Sequence, residues 1–168
     1  LHSFPTRRSS DLMHSYMEGI CLELGNFKHF NTYTADPSAI YRDNIRLQNV
    51  ATTLELPQFT YPEILHETKR IDVLWFNPKS FQFPQFAIEV VDSIGTLNGA
   101  FNRCLQLQYF CTKFVIVAPE KHHEKYDQTL KLETYNGSKD RFSFLNYDDL
   151  LSIYQNTAQL RKLEANIF

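Results

Sequence analysis

The sequence is short of the residues that unstructured chains favour: five glycines and seven prolines stand against fourteen phenylalanines and nine tyrosines in 168 residues. Low complexity and disorder are thereby excluded, and the chain must bury aromatic surface in a core. An apolar run near the ~18 residues of a membrane helix is also missing, so a soluble domain with no membrane contact is expected. Neither sign of charge dominates. Seventeen Lys and Arg against nineteen Asp and Glu give a net −2, which excludes a general basic field and leaves any nucleic-acid partner to a local strip. Cysteine is scarce: Cys21, Cys104 and Cys111 are an odd count without CxxC spacing, against a zinc ribbon or disulfide framework and in favour of a reducing cytoplasm. No GxGxxG or P-loop pattern offers a nucleotide cradle. The length suits one domain around one core.

Residues 1–12, LHSFPTRRSSDL, change character abruptly at Met13 and resemble a translated sequencing-adapter peptide, so they are set aside from fold reasoning. A natural flexible basic tail is the alternative. Without Arg7, Arg8 and Asp11 the balance becomes 15 basic against 18 acidic residues, a net −3, and any DNA contact must come from within the fold. A junction at Met13 leaves the true start open, with residues expected upstream; residues 13–168 are expected to form a single domain.

What the chain does contain is periodic. Tyr16, Ile20, Leu24 and Phe27 predict an amphipathic helix over residues 14–30, followed by a short strand at 31–35 and a loop or short helix over 36–54. After an aromatic loop punctuated by Pro57 and Pro62, residues 70–76 (RIDVLWF) and 83–91 (FPQFAIEVV) predict two buried strands in an antiparallel hairpin. A helix over 95–110, a strand at Lys113–Ala118, a polar helix over 120–129, a short strand at 142–145 and a closing helix over 147–163 capped by Asn146 complete the order. The connection from 83–91 through 95–110 to Lys113–Ala118 should be a parallel, right-handed crossover. The pattern is mixed α/β, a central sheet flanked by helices.

Two carboxylates interrupt the apolar strands, Asp72 and Glu89. Each costs several kcal/mol of desolvation unless paired, protonated or bound to a metal. On adjacent strands of one hairpin they can emerge on one face within reach of one divalent ion, with Glu18 on the first helix as a third carboxylate; such oxygen ligands select Mg²⁺ or Mn²⁺. The alternative is plain neutralisation, of Asp72 by Lys69 or Arg70 and of Glu89 by Arg103. His122-His123 is expected on a solvated helix face, and the cysteines, Trp75 and the phenylalanine-rich hairpin in the core.

The segments His14-Ser15-x-x-Glu18-Gly19, Ile71-Asp72-Val73-Leu74-Trp75-Phe76 and Phe86-Ala87-Ile88-Glu89-Val90 resemble the PD-(D/E)xK nuclease superfamily, and more closely the restriction-endonuclease-like domains of bacterial defence systems. The similarity spans roughly residues 13–118 through short motifs. It implies a restriction-endonuclease-like fold and a Mg²⁺- or Mn²⁺-dependent phosphodiesterase acting on DNA, with Asp72 and Glu89 on the metal and Glu18 assisting. The departure is Val91, where the superfamily usually bears a lysine that stabilises charge on the attacked phosphate. Arg103 and Gln106 on the next helix are the available substitutes. The expected function is therefore a metal-dependent nuclease; the alternative is a catalytically degenerate module that keeps a nucleic-acid or protein partner without cleavage, and a partner domain or subunit is expected in either case.

Overall fold

The structure, a computed structural model, describes residues 9–168. Residues 1–8 of the opening segment lie outside the described residues, while Ser9 to Leu12 form the start of helix α1 (Ser9–Phe27), which thus runs back past the helix start expected at residue 14. Met17, Ile20, Cys21 and Leu24, at three- and four-residue spacing, bury one side of this helix. It ends three residues before Phe30 because His29 takes a left-handed conformation (φ 66°), letting its N–H and that of Phe30 satisfy the carbonyls of Asn26 and Gly25.

Five strands follow in one mixed sheet, β1 (Asn31–Thr34), β4 (Val73–Phe76), β5 (Pro84–Val90), β6 (Lys113–Ala118) and β7 (Phe142–Asn146), in the spatial order β1-β4-β5-β6-β7. The first three are antiparallel neighbours, and β6 and β7 are parallel to β5, as the crossover through α3 (Leu97–Leu105) requires. Successive residues of each strand face opposite sides. Val73, Trp75, Ile88 and Val90 pack towards α1 and the closing helix α6 (Tyr147–Glu164). Leu74, Phe76, Ala87 and Val91 pack towards α3, with α2 (Pro62–Thr68), α4 (His123–Leu130) and α5 (Glu133–Asn136) on the same side. The centre of that second layer is Phe101, fully buried against Phe142, Tyr135 and Tyr126 at ring-centre separations of 4.6, 4.9 and 5.6 Å. Asn146 caps α6 by accepting the Asp149 N–H at 2.7 Å. The result is the expected α/β architecture, a mixed central sheet flanked by helices, consistent with a restriction-endonuclease-like fold. None of the described helices is long and apolar enough to cross a membrane.

Several expectations need correction. The region 36–54 holds a two-stranded ribbon, β2 (Ile40–Arg42) and β3 (Ile45–Arg46), turned by Asp43 and Asn44, both at positive φ (49° and 63°) as a tight hairpin turn demands. The aromatic loop contains α2, with Pro62 in its first turn, where a missing N–H costs nothing. Residues 70–72 are not yet strand: the Ile71 N–H still bonds the Thr68 carbonyl, so Asp72 sits at the mouth of β4 and not in its middle. His122 is buried, its Nε2 at 2.8 Å from the Asp92 carbonyl, and only His123 lies on the solvated side. Cys111 is exposed, unlike Cys21 and Cys104, and Phe81 and Phe83 of the hairpin turn are exposed although Trp75 and Phe76 are core.

Candidate metal centre

The first helix brings His14 and Glu18, four residues apart, onto one face over the mouth of β4. Nε2 of His14 lies 2.8 Å from Oε1 of Glu18 and 3.5 Å from Oδ1 of Asp72. The other oxygen of Asp72 accepts the Val90 N–H at 2.8 Å, which fixes the carboxylate against the end of β5. On the far side of the imidazole, Nδ1 is 3.7 Å from a carboxylate oxygen of Asp92, whose second oxygen accepts the hydroxyl of Tyr147. One donor atom from each of His14, Glu18 and Asp72 lies within 4.8 Å of the other two. Glu18 is 1% exposed, and its Oε2 has no hydrogen-bond partner among the described residues.

The electrostatics follow from that crowding. Burial pushes the Glu18 carboxyl up to about 8 despite the opposing pull of His14, and the charge of Asp72 adds to the rise. Burial alone would lower His14, but Asp72 and Glu18 together outweigh it and hold the imidazolium up to about 11. For Asp72, burial is overcome by His14 and the Val90 N–H, leaving it below the ordinary carboxylate range. The pocket is therefore one that demands positive charge, and in this structure the imidazolium of His14 supplies it.

Glu89 is not one of the three and adjoins them through Asp72. The register that pairs Val73 with Ile88 sets Asp72 beside it, yet Glu89 alternates with Ile88 and Val90 and so faces the α3 side of the sheet. There both its oxygens are taken by Arg103, Nε at 2.7 Å and Nη2 at 2.8 Å. Burial and the neighbouring Asp72 charge raise Glu89 well above its ordinary value, against the pull of Arg103. Of the two residues expected to stand in for a lysine, Arg103 is bound to Glu89, whereas Gln106 is exposed, bonded to the Asn102 carbonyl among Ile64, Leu105 and Tyr109. Val91 is a core residue whose N–H bonds the Val117 carbonyl. Asp72 is not neutralised by Lys69 or Arg70; Arg70 pairs with Glu67, and His14 takes that part.

Three residues of the centre were given no role by sequence reasoning: His14, Asp92 and Tyr147. For His14 the signal was available, since a His four residues before a buried helical Glu shares its face. Asp92 and Tyr147 meet only through the tertiary fold.

A divalent cation fits this arrangement on the structure's own terms. One imidazole nitrogen and two carboxylates converge, one carboxylate oxygen is buried with no partner, and the local field already favours a cation. The mixed nitrogen and oxygen set suits Mn²⁺, and the carboxylates alone suit a partly hydrated Mg²⁺.

A family model described as the type II restriction enzyme NmeDI C-terminal domain matches residues 4–168 of the chain, a span that takes in most of the opening segment. No curated protein and no solved structure matches it.

Proposed function

We propose, for a chain that belongs to the type II restriction enzyme NmeDI C-terminal domain family, that it is the nuclease module of a restriction or defence enzyme, hydrolysing DNA phosphodiester bonds with Mn²⁺ or Mg²⁺ in the cytoplasm. The observation that carries this reading is the buried, unpartnered Oε2 of Glu18 beside His14 and Asp72. A structural carboxylate at 1% exposure would have both oxygens satisfied. When bound, the cation supplies a polarised phosphate and a water of lowered pKa. Asp72, anchored by the Val90 N–H, and Glu18, anchored on α1, would hold it. His14, oriented by Asp92 and Tyr147, either joins the ligands as neutral imidazole or gives up its place to the ion.

A second reading has its own observation. With valine at 91 and Glu89 bound at both oxygens by Arg103, no free cationic side chain and no second free strand carboxylate among the described residues face the site, as in a module that binds DNA without cutting it. Plasmid nicking in Mn²⁺ and in Mg²⁺ separates the two. The nuclease reading expects cleavage by the wild type that is lost in Asp72→Asn and Glu18→Gln. Cleavage that survives both substitutions overturns it, and salt-sensitive DNA binding without any cleavage establishes the second.

A further inference from the structure

We infer that the Arg103–Glu89 pair is a latch, and that Arg103 is the positioning residue through which a DNA phosphate completes the cation site. The inference rests on the nuclease reading above and assigns to the same site a means of responding to its substrate.

Glu89 is wholly buried and both of its oxygens are held by one guanidinium, so Arg103 neutralises it while it stays in place. Arg103 is different: its side chain is 23% exposed, and its Nη1 makes no hydrogen bond among the described residues. That nitrogen lies next to Gly99, where an added Cβ would come within 3.3 Å of it, so the glycine keeps the approach to the guanidinium open. A phosphodiester presents two oxygens in nearly the geometry of a carboxylate, and the guanidinium fork accepts either. Withdrawal of Arg103 towards a phosphate would strand a buried carboxylate, which is costly, unless a cation takes the vacated place. The register sets Glu89 beside Asp72, one of the three cation-site residues, so the freed carboxylate adjoins that site. The exchange is thus favourable only when phosphate and cation are both present. Either alone leaves the latch shut.

The test is a double-mutant cycle on DNA binding in EDTA, with fluorescence anisotropy of a labelled mixed-sequence duplex, alongside Mn²⁺ titration of the wild type with and without that duplex. Glu89→Gln keeps the shape and weakens the hold, so metal-free DNA binding should tighten roughly tenfold, and the gain should vanish in the Glu89→Gln/Arg103→Gln double variant. Glu89→Ala removes the hold altogether and should show at least the same gain, giving a second route if Glu89→Gln does not fold. In the wild type the duplex should strengthen Mn²⁺ binding, and by reciprocity Mn²⁺ should strengthen duplex binding. An equal gain with and without Arg103 would mean mere loss of negative charge and would overturn the latch, as would no gain in either variant. Mn²⁺ binding that the duplex leaves unchanged also overturns it while the cation site stands. Absence of Mn²⁺ binding under both conditions sinks the nuclease reading itself, a result distinct from any outcome of the metal-free cycle.

Discussion

Replacing Glu18 by Gln should change how stability depends on pH and on Mn²⁺ together. In the metal-free wild type, Glu18 is held up to about 8 in the fold, above its unfolded value, so its contribution to stability is full below the ordinary carboxylate range and is lost as pH rises through about 8. His14, held up to about 11, acts in the same direction: its contribution is full below the unfolded imidazole value of ~6.5 and is lost as pH rises towards about 11. Each additional proton carried by the folded state costs about 1.4 kcal/mol of stability per pH unit. For a domain of this length that is ~3–6 °C in Tm per pH unit. Between about pH 6 and pH 8 the wild type should therefore lose stability steeply, and Glu18→Gln, which removes one titration and part of the pull on His14, should lose it more gently.

Mn²⁺ reverses the sign of the problem, because the ion replaces the protons. Its affinity should rise about tenfold per pH unit for each proton released, so the slope of log Kd against pH counts them. A slope near −1 means Glu18 alone is deprotonated on binding; one near −2 means His14 also enters as a neutral ligand. At about one hundred times Kd the ion adds ~2.7 kcal/mol, or ~5–11 °C in Tm. Differential scanning calorimetry across the pH range, with and without Mn²⁺, reads both effects. Equal pH slopes and equal Mn²⁺ shifts in the wild type and Glu18→Gln would refute the site.

Tyr147→Phe removes the hydroxyl that holds Asp92 against His14, and Mn²⁺ affinity by calorimetry should fall ~10–100-fold. Phe101→Ala empties the centre of the aromatic layer beneath the sheet and should cost ~3–5 kcal/mol, read as a lower urea midpoint at unchanged m-value. Arg141→Ala withdraws a guanidinium that bonds the carbonyls of Leu107, Gln108, Phe110 and Thr112 at the end of the α3 segment; thermal melting should show a loss of ~2–3 kcal/mol without loss of Mn²⁺ binding.

Much of the scaffold was legible because burial and periodicity coincide in it. Strands β5 and β6 and helix α3 between them are apolar runs and a three-four repeat whose order admits one economical pairing. Other signals were present and misread. Asp43-Asn44 is a two-residue turn between short strands, and Pro62 is a helix start although its aromatic surroundings read as loop. The exposure of Phe81, Phe83 and Cys111 was not legible at all, since residue type states what burial would gain and says nothing of whether the fold has room.

The same distinction explains the division of the carboxylates. Period-two alternation puts Glu89 on the opposite face from Ile88 and Val90, and so away from α1, which carries Glu18. Only a residue at a strand end, released from alternation, can address both faces, and Asp72 is that residue: His14 meets it from the α1 side and Glu89 adjoins it from the α3 side. The two cations supplied by the helices therefore divide the work. His14 balances the carboxylates that a metal ion would bind, and Arg103 balances Glu89. The positive charge on the α3 side of the sheet is therefore carried by a helix residue, for which a partner other than Glu89 can compete.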